Sequence, residues 1–177
     1  MQENILATVV YYDLFDFPLT KKEIWARLFN LKHLNLEAQL PSQESFERGV
    51  EEFSMEGKIE TEDGYYFLPK REYLVPLRVR RYKIAQKKWQ VACRAARWLS
   101  FVPYVRAIFV SGALANNNTE ELADIDVLAV LKHGRIWSGR LLVSAMLSFI
   151  GLRRRAVDVI APDKICLNHY ITDQSLN

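Results

Sequence analysis

The sequence predicts an α+β protein with a helical N-terminal part and a small C-terminal part that contains a sheet. Apolar residues recur at three- to four-residue spacing in the first 55 positions, which is the period of helices buried on one side. Two apolar runs rich in β-branched residues lie near positions 108 and 127, and they indicate strands. A basic stretch separates the two parts. We therefore expect three segments, at residues 1–69, 70–100 and 101–177.

Composition narrows the class of protein. Half of the 177 residues are hydrophobic and a quarter are charged, as in a globular protein. No apolar run approaches the roughly 20 residues that span a membrane, and an early Glu3 without a basic segment argues against a signal peptide. Cys93 and Cys166 fit no metal-binding spacing, so we expect two buried free thiols in a reducing compartment. These features predict a cytoplasmic protein.

The first two helices are expected at residues 5–15 and from Thr20 to Phe29. A break at Pro18 separates them. Thr20 and Glu23 have the spacing of a capping box, in which each side chain satisfies a backbone amide at the start of the second helix.

A third helix and a hairpin complete the N-terminal segment. The helix is expected at residues 42–55, after a loop at residues 32–41, and Gly57 ends it. Asp63 and Gly64 lie between two β-prone runs, which is a strong hairpin signal.

Three helices followed by a hairpin resemble the arrangement of a winged helix-turn-helix domain. The resemblance implies DNA binding through the third helix. From Gln43 to Glu56, this helix and the residue after it carry five glutamates and one arginine, a charge that phosphates repel. We therefore favour a protein-contact or packing module, and DNA binding through another surface stays open. The glutamates are Glu44, Glu47, Glu51, Glu52 and Glu56.

The connecting segment is strongly basic. Residues 70–97 include ten lysines and arginines and a single acid, Glu72. Pro76 fits the first turn of a helix, which we expect at residues 76–99. The positive charge has three interpretations: a solvated face, a nucleic-acid surface with interleaved aromatic residues, or a surface that helps to hold a polyphosphate near the downstream site.

The C-terminal segment is predicted to be a small α/β domain with a helix and a mixed sheet of three strands or slightly more. The strands are expected at residues 106–110, 124–131 and 155–160, and the helix at residues 134–150. Residues 166–171 are expected to form at most one further short element.

Three small residues, Ser111, Gly112 and Ala113, form a tight turn after the first strand. Their size lets a ligand approach the backbone.

Three carboxylates are the candidate site. Asp124 and Asp126 point to the same face of a strand, and two such close charges repel unless a cation lies between them. Mg²⁺ prefers oxygen ligands of this kind. Asp158 lies in an apolar run, where a shared metal would compensate its charge. The alternative is that Asp124 caps a helix or forms a salt bridge, Asp126 faces solvent, and Asp158 pairs with Arg153 or Arg154.

Residues 105–160 resemble the nucleotidyltransferase superfamily with the DNA-polymerase-β-like fold, especially its minimal bacterial members. A hydrophobic residue, a glycine and a small residue (110–113) precede the Asp124–Asp126 pair by about the family's distance, and Asp158 matches the later carboxylate. Ala113 stands where the family usually has a serine, and no arginine follows the turn closely.

The resemblance implies a Mg²⁺-dependent enzyme that moves a nucleoside monophosphate from a nucleoside triphosphate to an unknown hydroxyl acceptor and releases pyrophosphate. Asp124 and Asp126 would hold two Mg²⁺ ions, Asp158 would complete one metal site, and residues 111–113 would contact the β and γ phosphates. The alternative is a nucleotide-binding or DNA-binding regulator, or an antitoxin-like partner protein, with weak or no catalysis.

Overall fold

The structure is a computed structural model that describes residues 2–28, 42–155, 157–158 and 160–176. It has the predicted α+β class. Its contacts divide the chain into two compact units, Met1–Val79 and Arg80–Asn177. The division falls within the basic helix, which contributes residues to both units. None of the helices in the described part of the chain is long and apolar enough to cross a membrane.

The described residues of the N-terminal unit form three complete helices, the start of a fourth and a small antiparallel sheet. Its elements are α1 (Gln2–Asp13), β1 (Leu19–Thr20), α2 (Lys21–Ala26), α3 (Gln43–Met55), β2 (Glu60–Glu62) and β3 (Tyr65–Phe67). The strand order is β1-β3-β2. The hairpin prediction is confirmed, because Asp63 and Gly64 both have positive φ angles, as a two-residue hairpin turn requires.

Local signals set the ends of these helices. Thr20 and Glu23 form the predicted capping box, and Ser42 caps α3 by accepting a hydrogen bond from the backbone amide of Ser45. Gly57 follows α3 with a φ of +67°, as expected for a residue after a helix end. Phe29 and the loop predicted at residues 32–41 lie outside the described residues.

Two basic residues near the start of the connector are bound within the N-terminal unit. Arg71 forms ion pairs with Asp13 and Asp16. Arg78 is buried, donates to Glu23 at 2.8 Å, and lies 3.5 Å above the centre of the Phe17 ring. These side chains therefore belong to the packing of the unit rather than to a solvated basic face.

The C-terminal unit alternates helices and strands. Its elements are α4 (Leu74–Leu99, of which residues 80–99 belong to this unit), β4 (Val105–Val110), α5 (Gly112–Ala115), β5 (Ile125–Leu131), α6 (Ile136–Phe149), β6 (Ile165–Thr172) and a 3₁₀ turn (Asp173–Leu176). The sheet order is β4-β5-β6, in which β4 runs antiparallel and β6 parallel to β5. The expected mixed three-stranded sheet is therefore present, but one of its strands is not the predicted one.

The strand predicted at residues 155–160 is wrong. Among its described residues, Asp158 closes a turn in which its backbone amide donates to the carbonyl of Arg155 at 3.0 Å. The Asp158 carboxylate also accepts from the Arg155 amide at 2.9 Å, and such local bonds compete with a strand. Val157 and Ile160 are exposed, so this apolar run does not pack in the core. Ala156 and Val159 lie outside the described residues. The third strand is β6.

The buried core of the C-terminal unit lies between α4, α6 and the sheet. Its contributors include Ala85, Ala92, Leu99, Ile125, Leu131, Val143, Leu147 and Ile165. Gly139 lets α6 approach β5 closely, because a β-carbon there would lie 2.9 Å from Leu131 Cδ1. The glycine that weakens the helix signal in the sequence therefore allows close packing of the helix on the sheet.

Candidate functional site

The structure brings Asp124 and Asp126 together at the start of the central strand. Asp126 is the second residue of β5 and Asp124 directly precedes the strand. Cys166, on the neighbouring β6, is the register partner of Asp126. One carboxylate oxygen from each aspartate and the Cys166 sulfur all lie within 4.8 Å of one another. This group, which we call the acidic pair with Cys166, could hold a metal ion.

Asp158 is not part of this group, as far as the described residues go. It lies in the loop before β6, where its carboxylate binds the backbone of Arg155. The resemblance alone gives Asp158 its role as a third metal ligand, and that role stays a prediction.

Sequence reasoning missed Cys166 as a site residue. The expectation of two buried thiols is wrong, because Cys93 is exposed and Cys166 is partly exposed. The β-prone run at residues 165–172 could have indicated its position. If this run forms a strand beside β5, one of its residues lies next to Asp126, and in the structure that residue is Cys166.

The small-residue turn lies directly on Asp126. Gly112 has a φ of +64°, and a β-carbon at this position would lie 2.6 Å from Asp126 Oδ2. The backbone amide of Ser111 donates to the carbonyl of Asp126 at 2.9 Å. Gly112 and Ala113 are both exposed, so solvent or a ligand can reach their backbone beside the carboxylate. Any other residue at position 112 would both strain the backbone and crowd Asp126.

The charges in the site are only partly balanced. Arg154 donates from Nη1 to Asp124 Oδ2 at 2.5 Å, and the same nitrogen lies 3.8 Å from the Cys166 sulfur. Asp124 therefore forms a salt bridge, as the alternative interpretation of the sequence expected, and its partner is one of the arginines that was considered for Asp158. This pair has its charges partly exposed, at 34% for the Arg154 side chain and 19% for the Asp124 side chain.

Burial shifts two ionisable groups of the site. It raises the pKa of Asp126, and the neighbouring Asp124 charge raises this pKa further, whereas Arg154 and the exposed His169 oppose the shift. Burial and the hydrogen bond with Asp124 raise the pKa of the Cys166 thiol. Keeping two carboxylates this close costs folding free energy. Such an arrangement is typical of a functional site.

The donor set fits a hard divalent cation in part. Two carboxylates are suitable ligands for Mg²⁺, whereas a protonated thiol is a poor one. Arg154 occupies one oxygen of Asp124, so this guanidinium has to move before Asp124 can bind a cation with that oxygen. By their chemistry, Asp124 and Asp126 could hold a hard divalent cation, and Cys166 would not contribute to binding it.

A buried lysine on α4 holds the two chain segments that lead into the site. The Lys88 side chain is 1% exposed. Its ammonium donates to the carbonyls of Glu121 at 3.1 Å and Ala123 at 2.7 Å, and to the Asp163 carboxylate at 2.9 Å. These three bonds use the three donors of the ammonium group. They hold the residues just before β5 and just before β6, and thereby the starts of the strands that carry Asp126 and Cys166.

Two further α4 side chains hold the polar loop that leads to Asp124. Arg81 donates to Asn118 and Glu120, and the Trp89 indole donates to Asn117 at 2.9 Å. Part of the basic character of the connector therefore serves to position the loop between α5 and β5.

Comparison with known proteins gives no match of this chain to a family model, to a curated protein or to a solved structure. The function must therefore be argued from the site itself.

Replacing Lys88 tests whether the buried ammonium holds the site. Lys88→Met leaves two carbonyl oxygens without their donor, and we expect the free energy of unfolding to fall by about 2–4 kcal/mol. Urea unfolding followed by circular dichroism measures the change. Lys87→Met removes the same charge from an exposed neighbour and should have little effect. Equal stability of the two variants would contradict the role of Lys88.

Replacing Asp126 tests the free-energy cost of its partly buried charge. Because its pKa is raised in the folded state, the folded protein binds this proton more tightly than the unfolded chain, and stability is lost as the pH rises through the raised pKa. Asp126→Asn should therefore raise the unfolding temperature by a few degrees at pH 7 in a chelator. The gain should shrink as the pH falls to the ordinary aspartate range.

Asp124→Asn is the matched control, since it loses the ion pair with Arg154. We expect it to be no more stable than the wild type at pH 7. If Asp126→Asn is destabilised at pH 7 as well, the carboxylate of Asp126 supports the fold and the argument from its cost fails.

Proposed function

We propose that the C-terminal unit is a Mg²⁺-dependent nucleotidyltransferase that binds a nucleoside triphosphate at Asp124 and Asp126. The observation that supports the proposal is the contact between the small-residue turn at Gly112 and the aspartate pair, both of which belong to the resemblance. The Gly112 turn, which would face phosphates, lies against the Asp126 carboxylate, which would face the cation. Two sequence elements that lie more than ten residues apart therefore meet in one exposed place.

The proposed reaction transfers a nucleoside monophosphate to a hydroxyl acceptor. The acceptor oxygen attacks the α-phosphorus, the anhydride bond to the β-phosphorus breaks, and pyrophosphate leaves while the acceptor's proton is released to water. When bound, Mg²⁺ supplies neutralisation of the charge on the attacking and leaving oxygens.

The residues of the chain contribute binding and orientation. Asp126 has to be deprotonated to bind a cation, and Gly112 leaves room beside its carboxylate. Backbone amides of the turn at Gly112 and Ala113 would donate to phosphate oxygens, which partly replaces the serine hydroxyl that Ala113 lacks. Lys88 would hold the segments before β5 and β6 in place, and with them the aspartate pair.

A second candidate is a nucleotide-binding protein without turnover. The ion pair between Arg154 and Asp124 favours it, because a cation must compete with a guanidinium for the same oxygen. The protonated thiol of Cys166 at the position next to Asp126 also favours it, since a third carboxylate there would bind a second Mg²⁺ more strongly.

We further propose that the N-terminal unit is a winged-helix-like module that contacts a protein partner. The order of three helices and a terminal hairpin supports the class. The exposed side of α3 carries Glu44, Glu47 and Glu51, and such an acidic surface favours a basic protein surface over DNA phosphates.

Transfer of label from an α-³²P-labelled nucleoside triphosphate tests the proposed activity. We expect Mg²⁺-dependent labelling of an acceptor, or of the protein itself, that falls at least about 100-fold in Asp124→Asn and Asp126→Asn, as loss of a metal ligand at a phosphoryl-transfer site does. Asp158→Asn tests the third ligand that the resemblance implies. A comparable fall in transfer would support that role, and Mg²⁺ binding within about twofold of the wild type would show that Asp158 stays outside the metal group.

Nucleotide binding in the same samples separates the two candidates. Saturable Mg²⁺-dependent binding without any transfer, in the wild type and in Arg154→Gln alike, would select the binding protein. Equal transfer by the wild type and the two aspartate variants would exclude catalysis at this site, and equal nucleotide binding by the three proteins would exclude the second candidate there.

A further inference from the structure

A cavity of about 320 Å³ lies between α6 and the start of β6, on the C-terminal unit. Four arginines and two hydroxyl groups line its polar part. They are Arg140, Ser144, Arg153, Arg154, Arg155 and Tyr170. The volume is in the range of small-molecule binding pockets.

Backbone pairing holds the arginine segment against the first residue of β6. Arg153 forms a bridge with Ile165, the Arg154 amide donates to the Ile165 carbonyl at 3.0 Å, and the Ile165 amide donates to the Leu152 carbonyl at 2.7 Å. The consecutive arginines therefore start from a fixed backbone. On the opposite wall, the Arg140 guanidinium lies 5.2 Å from the centre of the Tyr170 ring, which orients it.

The positive charge of this cavity exceeds the negative charge near it. Among the described residues, no carboxylate forms an ion pair with Arg140, Arg153 or Arg155, and Arg154 is bound to Asp124. Three like charges gathered in one cavity repel one another unless an anion joins them. The Ser144 and Tyr170 side chains add hydroxyl groups to the same walls.

We infer that this cavity binds a polyphosphate group. Guanidinium groups bind phosphate oxygens through two parallel hydrogen bonds, and several arginines around one cavity are suited to a chain of phosphates. The ligand is either a free polyphosphate or the phosphate chain of a nucleotide. The cavity adjoins the acidic pair, with which it shares Arg154 and Cys166, but it requires no metal, so the inference does not depend on the proposed transfer reaction.

Arg154 couples the cavity to the acidic pair. It lines the cavity and also binds Asp124 Oδ2. A phosphate that takes this guanidinium leaves Asp124 available for a cation, and by linkage a cation on Asp124 leaves Arg154 available for a phosphate. Polyphosphate and Mg²⁺ therefore strengthen each other's binding through one side chain.

Calorimetric titration with sodium tripolyphosphate, in a chelator and at low salt, tests the site. We expect saturable binding by the wild type that weakens about 10-fold in Arg153→Gln and in Arg140→Gln, since each loses charge-assisted hydrogen bonds. Both side chains are exposed, so the variants should fold, which circular dichroism checks. Arg94→Gln, an equal charge change on the exposed side of α4, should bind within twofold of the wild type.

A parallel titration with ATP in the chelator identifies the source of the phosphates. Tighter binding of ATP than of tripolyphosphate assigns the cavity to a nucleotide, and the reverse order assigns it to free polyphosphate. Absence of saturable binding of either ligand, or equal affinities in the Arg153, Arg140 and Arg94 variants, overturns the inference.

Asp124→Asn distinguishes this inference from the proposed function. The substitution removes a cation ligand and frees Arg154, so Mg²⁺ binding should be lost while tripolyphosphate binding becomes several-fold tighter. Weaker tripolyphosphate binding in this variant than in the wild type when Mg²⁺ replaces the chelator would show that the anion binds through a cation at the acidic pair, and would overturn the cavity as its site. Unchanged affinity would overturn the coupling through Arg154.

Discussion

The buried ammonium of Lys88 is the constraint on which the candidate site depends. It joins α4 to the segments that precede β5 and β6, with three hydrogen bonds and almost no exposure to water. Burying a lysine is costly unless its charge and its donors are satisfied, and here two carbonyls and one carboxylate satisfy them. These bonds also fix the positions of site residues. Lys88 holds the loop and the starts of the two strands, which carry Asp124, Asp126 and Cys166.

At the site itself, stability and binding oppose each other. Asp126 is partly buried beside a second carboxylate and beneath the Gly112 turn, and its charge is disfavoured there. Arg154 relieves part of this repulsion by pairing with Asp124. The same arginine also lines a cavity that is rich in positive charge. The Arg154 guanidinium therefore lies between the negative acidic pair and the positive cavity. A cation can compete with it for Asp124, and an anion can compete with Asp124 for it.

Much of the fold could be predicted, because its signals are local. The capping box at Thr20, the Asp63–Gly64 turn and the glycine after α3 act within a few residues and are present as predicted. The third strand of the C-terminal sheet could not be placed, since residues 155–160 and 165–172 are both rich in β-prone residues. The Asp158 turn decided between them.

Only the site residues that lie close together in the sequence could be predicted to meet. The i, i+2 spacing places Asp124 and Asp126 together, whereas Cys166 joins them through strand register and Arg154 through a long-range ion pair. The central claim is that this acidic pair holds a divalent cation beside the Gly112 turn. Anomalous scattering from a crystal grown with Mn²⁺ and a non-hydrolysable nucleoside triphosphate analogue measures this directly. We expect a manganese peak between the Asp124 and Asp126 carboxylates, with phosphates at the turn. A well-ordered site that contains no metal, with Arg154 still bound to Asp124, would contradict the proposed cation site.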